Sequence, residues 1–142
     1  MHYVDTSILV AALLNEVHTD AAQRWLSRQR AGQLAISDWI ITEFSAALSV
    51  KLRNGQLQQE HRSEALALFT RLSEESFVTL PASRSDFRTA ARFADQYLTG
   101  LRAGDALHLA IAANHGANLH TLDKRLAKAG QSLGVNTQLL AG

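Results

Sequence analysis

The sequence contains no cysteine. A disulfide scaffold and a thiolate zinc site are thereby excluded. The lack of thiols fits a reducing compartment, so a cytoplasmic location is expected. There is one proline, Pro81, and no linker-like or low-complexity stretch. Charge of either sign is not in excess: 14 Lys and Arg face 13 Asp and Glu, a formal net charge of +1. The balance neither favours nor opposes a nucleic-acid partner. Long hydrophobic runs are also missing. The apolar run Ile8 to Leu14 is far shorter than the ~20 residues a bilayer span needs. No basic segment precedes it, so it does not read as a signal peptide, and no membrane association is expected.

What remains is a chain of 142 residues, 46% hydrophobic and 19% charged. That suffices for one soluble domain with a real core, spanning 1–142. The pattern alternates. "HYV", "QLAIS", "SFVTLP" and "NLHTL" read as short strands, and "GVNTQ" as a candidate last one. Between them lie helical stretches. The first follows Thr6 or Ser7 as cap; "TDAAQRWLSRQRAG" ends at Gly32; "WIITEFSAALSVKLRNG" is capped by Ser37 or Asp38 and closes at Gly55. "QEHRSEALALFTRLSEE", "SRSDFRTAARFADQYLTG", "AGDALHLAIAANHG" and "DKRLAKAG" complete the set. Short strands separated by long helices predict an α/β fold with a parallel sheet.

Ligand sites in such sheets form outside the carboxyl ends of the strands. Asp5 follows the first strand, Asp123 follows "NLHTL", and Asp105 opens the helix "DALHLAIAANHG". Glu43 lies inside a helix, and its neighbours at three and four residues are Trp39, Ile40, Ala46 and Ala47. A glutamate on an apolar face needs a partner or a task. Each acid also has an ordinary account: a turn or a helix cap at Asp5, helix-start charges at Asp105 and Asp123, and an ion pair with a neighbouring helix at Glu43. Jointly they say more. Four converging carboxylates do not stay ionised unaided, so some protonate or a cation binds. An all-oxygen set favours Mg²⁺ or Mn²⁺, and an acidic site with such an ion suits phosphodiester hydrolysis.

The stretches "VDTSILVAALL", "ISDWIITEFSAALSVKLR", "AGDALHLAIAANHGANLHTLDKRL" and the closing "GV" resemble a PIN-domain ribonuclease, and within that group a VapC-type toxin of a toxin–antitoxin pair. "DTS", "TEF", "GDALHLA" and "TLDKRL" in that order are the specific part. The resemblance implies a parallel sheet flanked by helices on both faces and Mg²⁺-dependent RNA cleavage. It also implies a homodimer and a cognate antitoxin that threads into the active-site groove. It places the acidic quartet, catalytic and metal-binding, on Asp5, Glu43, Asp105 and Asp123.

Other residues have two readings. Thr6 and Thr121 either cap or orient a carboxylate. Arg102, Lys124, Arg125 and Lys128 either hold RNA phosphates or form a solvated face. Arg24 and Arg28, around Trp25, read as a surface helix with snorkelling side chains; Trp39 and Phe44 read as core. Three rival functions fit less well. A phosphorylated receiver module needs an acidic pair after the first strand. A haloacid-dehalogenase-like phosphatase, with a Mg²⁺-binding acidic site, needs Asp where Ser7 stands. A metal-free ribonuclease would use His108 and His120 as acid and base, although nothing in the sequence orients them.

Overall fold

A computed structural model of the chain describes residues 1–140. The elements run β1 (His2–Val4), α1 (Thr6–Leu13), α2 (Thr19–Ser27), β2 (Leu34–Ser37), α3 (Asp38–Arg53), α4 (Gln59–Ser76), β3 (Phe77–Leu80), α5 (Arg84–Ala94), α6 (Ala103–Asn114), β4 (Asn118–Thr121), α7 (Lys124–Ser132) and β5 (Thr137–Leu139). A short 3₁₀ turn, Tyr97–Thr99, lies between α5 and α6.

The five strands form one parallel sheet in the order β3-β2-β1-β4-β5. Chain order reverses at β1, which pairs with both β2 and β4. Both faces are covered, as alternation along β1 shows. His2 points to one face, where Trp25 of α2 packs edge-on against it. Tyr3 points to the other, where its hydroxyl meets His108 of α6. Tyr3, Ile8, Leu9, Ile36, Ile40, Phe44, Leu109, Ile111 and Leu119 are fully buried in the core between these layers. β2 is buried at all four positions, as expected of a central strand covered on both faces. At the β5 side the helix comes very close. A Cβ on Gly130 of α7 would lie 2.1 Å from Thr137 Oγ1, so only glycine fits there.

The α/β class and the parallel sheet match expectation. Several boundaries do not. α1 is capped by Asp5 itself, whose side chain accepts from Ile8 N, and not by Thr6 or Ser7. α2 stops at Ser27, short of Gly32. The helix expected to run from Ser83 to Gly100 ends at Ala94 and gives way to the 3₁₀ turn and Gly100 at φ 69°. Asp105 lies in the first turn of α6, third in the helix after Arg102 as cap. Around Glu43, Ile40 is buried, Trp39 and Ala47 are half-buried, and Ala46 is exposed. The apolar stripe is thus narrower than the spacing implied, and Glu43 stands at its edge. Trp39 packs against the core from a half-buried position, whereas Phe44 is fully inside.

Candidate active site

Asp5 follows β1 at the point where chain order reverses. It is 4% exposed. Its Oδ1 accepts from Ser7 Oγ at 2.6 Å and from Ile8 N at 3.3 Å, and its Oδ2 accepts from Thr121 Oγ1. Burial raises the Asp5 pKa, and those three donors, aided by His108, oppose the rise without cancelling it. Thr121 Oγ1 in turn accepts from Asp123 N at 2.9 Å, and Ser7 Oγ accepts from Leu122 N at 3.0 Å. The two hydroxyls therefore lace the end of β1 to the end of β4. Thr121 orients a carboxylate, the second of its two readings.

Asp123 caps α7 through Oδ1, which accepts from Arg125 N at 2.9 Å. Asp105 and Asp123 line one cavity of about 150 Å³, with Arg102 and Arg125 at its walls. Burial raises the Asp105 pKa, and the charges of Asp123 and then Glu43 raise it further, against smaller opposing effects of His108 and Arg102. Asp105 thus lies within the field of both Asp123 and Glu43.

Glu43 reaches the same region from α3. Its Oε1 accepts from Thr6 Oγ1 at 2.7 Å and bonds to His108 Nε2. Burial works to raise the Glu43 pKa. The hydrogen bond and charge of His108, with Thr6, outweigh it, so the pKa lies below the usual glutamate value. The other oxygen, Oε2, lies against the first turn of α6: a Cβ on Gly104 would be 3.0 Å from it. The indole N–H of Trp39 is buried beside this carboxylate with no hydrogen bond of good geometry.

Sequence reasoning missed His108, Tyr3 and Ser37 as parts of this site. His108 is 2% exposed, and its signal was a histidine on an otherwise apolar helix. The proposed pairing of His108 with His120 is ruled out by the sheet. His120 bonds to His2 at 2.8 Å and stacks near Trp25 on the α2 face, whereas His108 bonds to Tyr3 on the opposite face. Burial, with the neighbouring His2, also pushes the His120 pKa down to about 4.

The donor set is all oxygen and short of counter-charge. Among the described residues, no Lys or Arg forms an ion pair with Asp5, Asp105 or Asp123. Nor do three acidic or imidazole groups among them close into a cage around one point. Mg²⁺ does not need such a cage. It retains several waters and is held through one or two carboxylates. The residues fit a hydrated hard cation.

The sequence matches the family model described as PIN domain over residues 2–131. The chain belongs to the PIN domain family. Solved structures share the fold at low identity. VapC20 of Mycobacterium tuberculosis, described as a sarcin–ricin loop cleaving toxin, is 20% identical with a TM-score of 0.74, covering 92% of this chain and 95% of that one. A protein of a toxin–antitoxin complex from Klebsiella pneumoniae is 19% identical at TM-score 0.67, over 99% of this chain and 98% of that one. PAE2754 of Pyrobaculum aerophilum is 26% identical at TM-score 0.67, over 90% and 78%. A search of curated proteins gave no match. Among the described residues of this PIN domain, no helix is long and apolar enough to cross a membrane.

Proposed function

We propose that this PIN domain is a metal-dependent endoribonuclease and the toxin of a cytoplasmic toxin–antitoxin pair. One observation carries the reading: buried Asp5 and half-buried Asp105 both have raised pKa values, Asp105 through acidic neighbours as well as burial, and neither has a cationic side chain paired to it. Such a site holds unspent negative charge that a cation would take up. Asp5 and Asp105 would be the principal ligands of Mg²⁺ or Mn²⁺, with Glu43 and Asp123 holding its waters or joining directly. A divalent ion there supplies Lewis acidity toward a phosphate and lowers the pKa of a water.

The chain's own groups do the rest. Ser7 and Thr121 fix both oxygens of Asp5. Arg102 and Arg125, exposed at the rim of the Asp105–Asp123 cavity, suit contact with the phosphates flanking the scissile bond. Lys124 and Lys128 extend that basic rim along α7. The toxin assignment is supported by the likeness to VapC20 and to the Klebsiella complex. A homodimer is supported by exposed apolar residues, Phe87, Tyr97 and Leu98, around the α5–α6 connection.

The test is cleavage of total RNA with and without excess EDTA. EDTA abolishes cleavage, Mg²⁺ or Mn²⁺ restores it, and the products carry 5′-phosphates. Full cleavage in EDTA with cyclic-phosphate ends would overturn the metal-dependent reading.

A further inference from the structure

A chain of buried hydrogen bonds runs from inside the sheet to Glu43. Ser37 Oγ lies 2.8 Å from Tyr3 Oη, Tyr3 Oη lies 2.7 Å from His108 Nδ1, and His108 Nε2 bonds to Glu43 Oε1. Ser37 and Tyr3 are 0% exposed and His108 is 2% exposed. We infer that His108, backed by Tyr3 and Ser37, is a positioning residue that locks one oxygen of Glu43 and leaves the other, Oε2, to face the site. The inference rests on the metal-dependent reading above.

Counting protons gives the chain its direction. Ser37 Oγ accepts from Ile40 N, the first backbone donor its helix cap satisfies. The Ser37 hydroxyl must then give its own proton to Tyr3 Oη, the other partner it has. Tyr3 has one proton, and it goes to His108 Nδ1. Nδ1 is thereby an acceptor, so Nε2 carries the hydrogen and donates to Glu43. The reverse direction leaves the Ser37 proton with no acceptor in a dry interior, and buried hydroxyls do not stay unpaired at no cost. Every group is used once in the forward direction.

That direction has a functional meaning. A donor at Nε2 fixes the Glu43 carboxylate in one orientation and leaves its second oxygen for a cation. Thr6 holds the same oxygen from α1. With Oε1 held twice, Oε2 is left against the first turn of α6, where a Cβ on Gly104, the residue before Asp105, would lie 3.0 Å from it. Ser37 also starts α3, the helix that carries Glu43. The same hydroxyl thus sets both the helix and the side chain. A purely structural account explains the burial of His108. It does not explain why its one free donor is spent on an acid of the site.

The experiment measures Mn²⁺ binding to the full chain by calorimetry, melting temperature in EDTA, and the Mn²⁺ concentration giving half-maximal RNA cleavage. Wild type, His108→Leu, His108→Gln and Tyr3→Phe are compared. Loss of a supporting partner typically weakens metal affinity or activity about 10–100-fold. His108→Leu is expected to weaken Mn²⁺ binding and raise the half-maximal concentration by that factor. His108→Gln, whose amide can donate to Glu43, restores most of it, and Tyr3→Phe falls between. Should His108→Leu fail to fold, the Gln and Phe variants carry the same comparison. If the wild type binds Mn²⁺ and cleaves RNA but the folded variants match it in metal dependence and differ in melting temperature alone, the positioning role is overturned while the nuclease reading stands. If the wild type itself neither binds Mn²⁺ nor cleaves, both are overturned.

Discussion

Two aspartates in this molecule are buried, Asp5 at 4% exposed and Asp86 at 1%. Both are well hydrogen-bonded. Asp86 closes a capping box with Ser83 at the start of α5, and its Oδ1 accepts from Asn114 Nδ2 at 2.8 Å. Asp5 accepts from Ser7, Ile8 and Thr121. Their pKa values nevertheless move in opposite directions. Burial works to raise that of Asp86, but the donors from Ser83 and Asn114 prevail and it falls below the usual value. For Asp5 burial prevails. The balance differs in the surroundings. Asp86 is held by the Ser83 backbone and side chain and by Asn114, with His115 adding to their effect. Asp5, at the carboxyl end of the central strand, bears the larger cost of burial. Asp86 is satisfied by the groups around it, whereas Asp5 retains an uncompensated cost of ionisation that a cation would relieve.

The largest effect expected from this contrast is on catalysis. Asp5→Asn should reduce RNA cleavage by about 100- to 1,000-fold or more, and its expression should permit bacterial growth that wild-type expression arrests. Asp86→Asn should do the opposite. It should lose stability, by about 1–3 kcal/mol for a disrupted buried acceptor, while its folded fraction cleaves RNA as the wild type does. Cleavage assays beside chemical denaturation check both halves. Equal losses of activity in the two variants would erase the distinction.

A smaller effect is expected at Asp105, whose pKa is raised as that of Asp5 is. In EDTA at neutral pH, Asp105→Asn should melt at or above the wild-type temperature. Relief from Asp123 and Glu43 is of the order of 1 kcal/mol with water-like screening, against about 0.3–1 kcal/mol for the lost first-turn charge. The variant should also lose most of the Mg²⁺-induced rise in melting temperature that the wild type gains by mass action. A less stable variant still stabilised by Mg²⁺ would remove Asp105 from the site.

The smallest effect is in the pH dependence of stability without metal. Asp5 and Asp105 have raised folded-state pKa values, so their contribution is fully present below the ordinary aspartate pKa and is lost as pH rises through the raised values. Asp86 and Glu43 have lowered values, so their contribution is present above the ordinary carboxylate range and is lost as pH falls through the lowered values. Melts across acidic to neutral pH in EDTA should therefore show Asp105→Asn flattening the decline on the rising side. Asp86→Asn should flatten the one on the acid side.

Much of this was legible before any coordinates. Strand–helix alternation and the polar residues after strands put Asp5 and Asp123 on one edge of a parallel sheet, because both signals are local. Helix ends were less legible. Nothing local marks Ala94 as the last residue of α5, since Asp95 and Gln96 are ordinary helix residues; the break precedes the 3₁₀ turn and Gly100. The cap of α1 stayed open among Asp5, Thr6 and Ser7 because "DTS" offers three capping side chains in a row, and the bond from Ile8 N assigns Asp5 to it. The chain from Ser37 to Glu43 was not legible at all. Its members are far apart in sequence, with Tyr3 and His108 separated by 105 positions, and each passes for ordinary core alone.

The place of β1 in the sheet has a consequence for synthesis. β1 is made first, yet one of its two sheet neighbours is β4, and Thr121, the residue that fixes one oxygen of Asp5, is 116 positions later. At elongation rates of about 5–20 residues per second, roughly 6 to 23 seconds pass between the two. Until then Asp5 lacks the Thr121 hydrogen bond, and Asp123 has not yet been made. On the proposed metal-dependent reading, the acidic site of a nascent chain is assembled only after β4 and the start of α7 have been made.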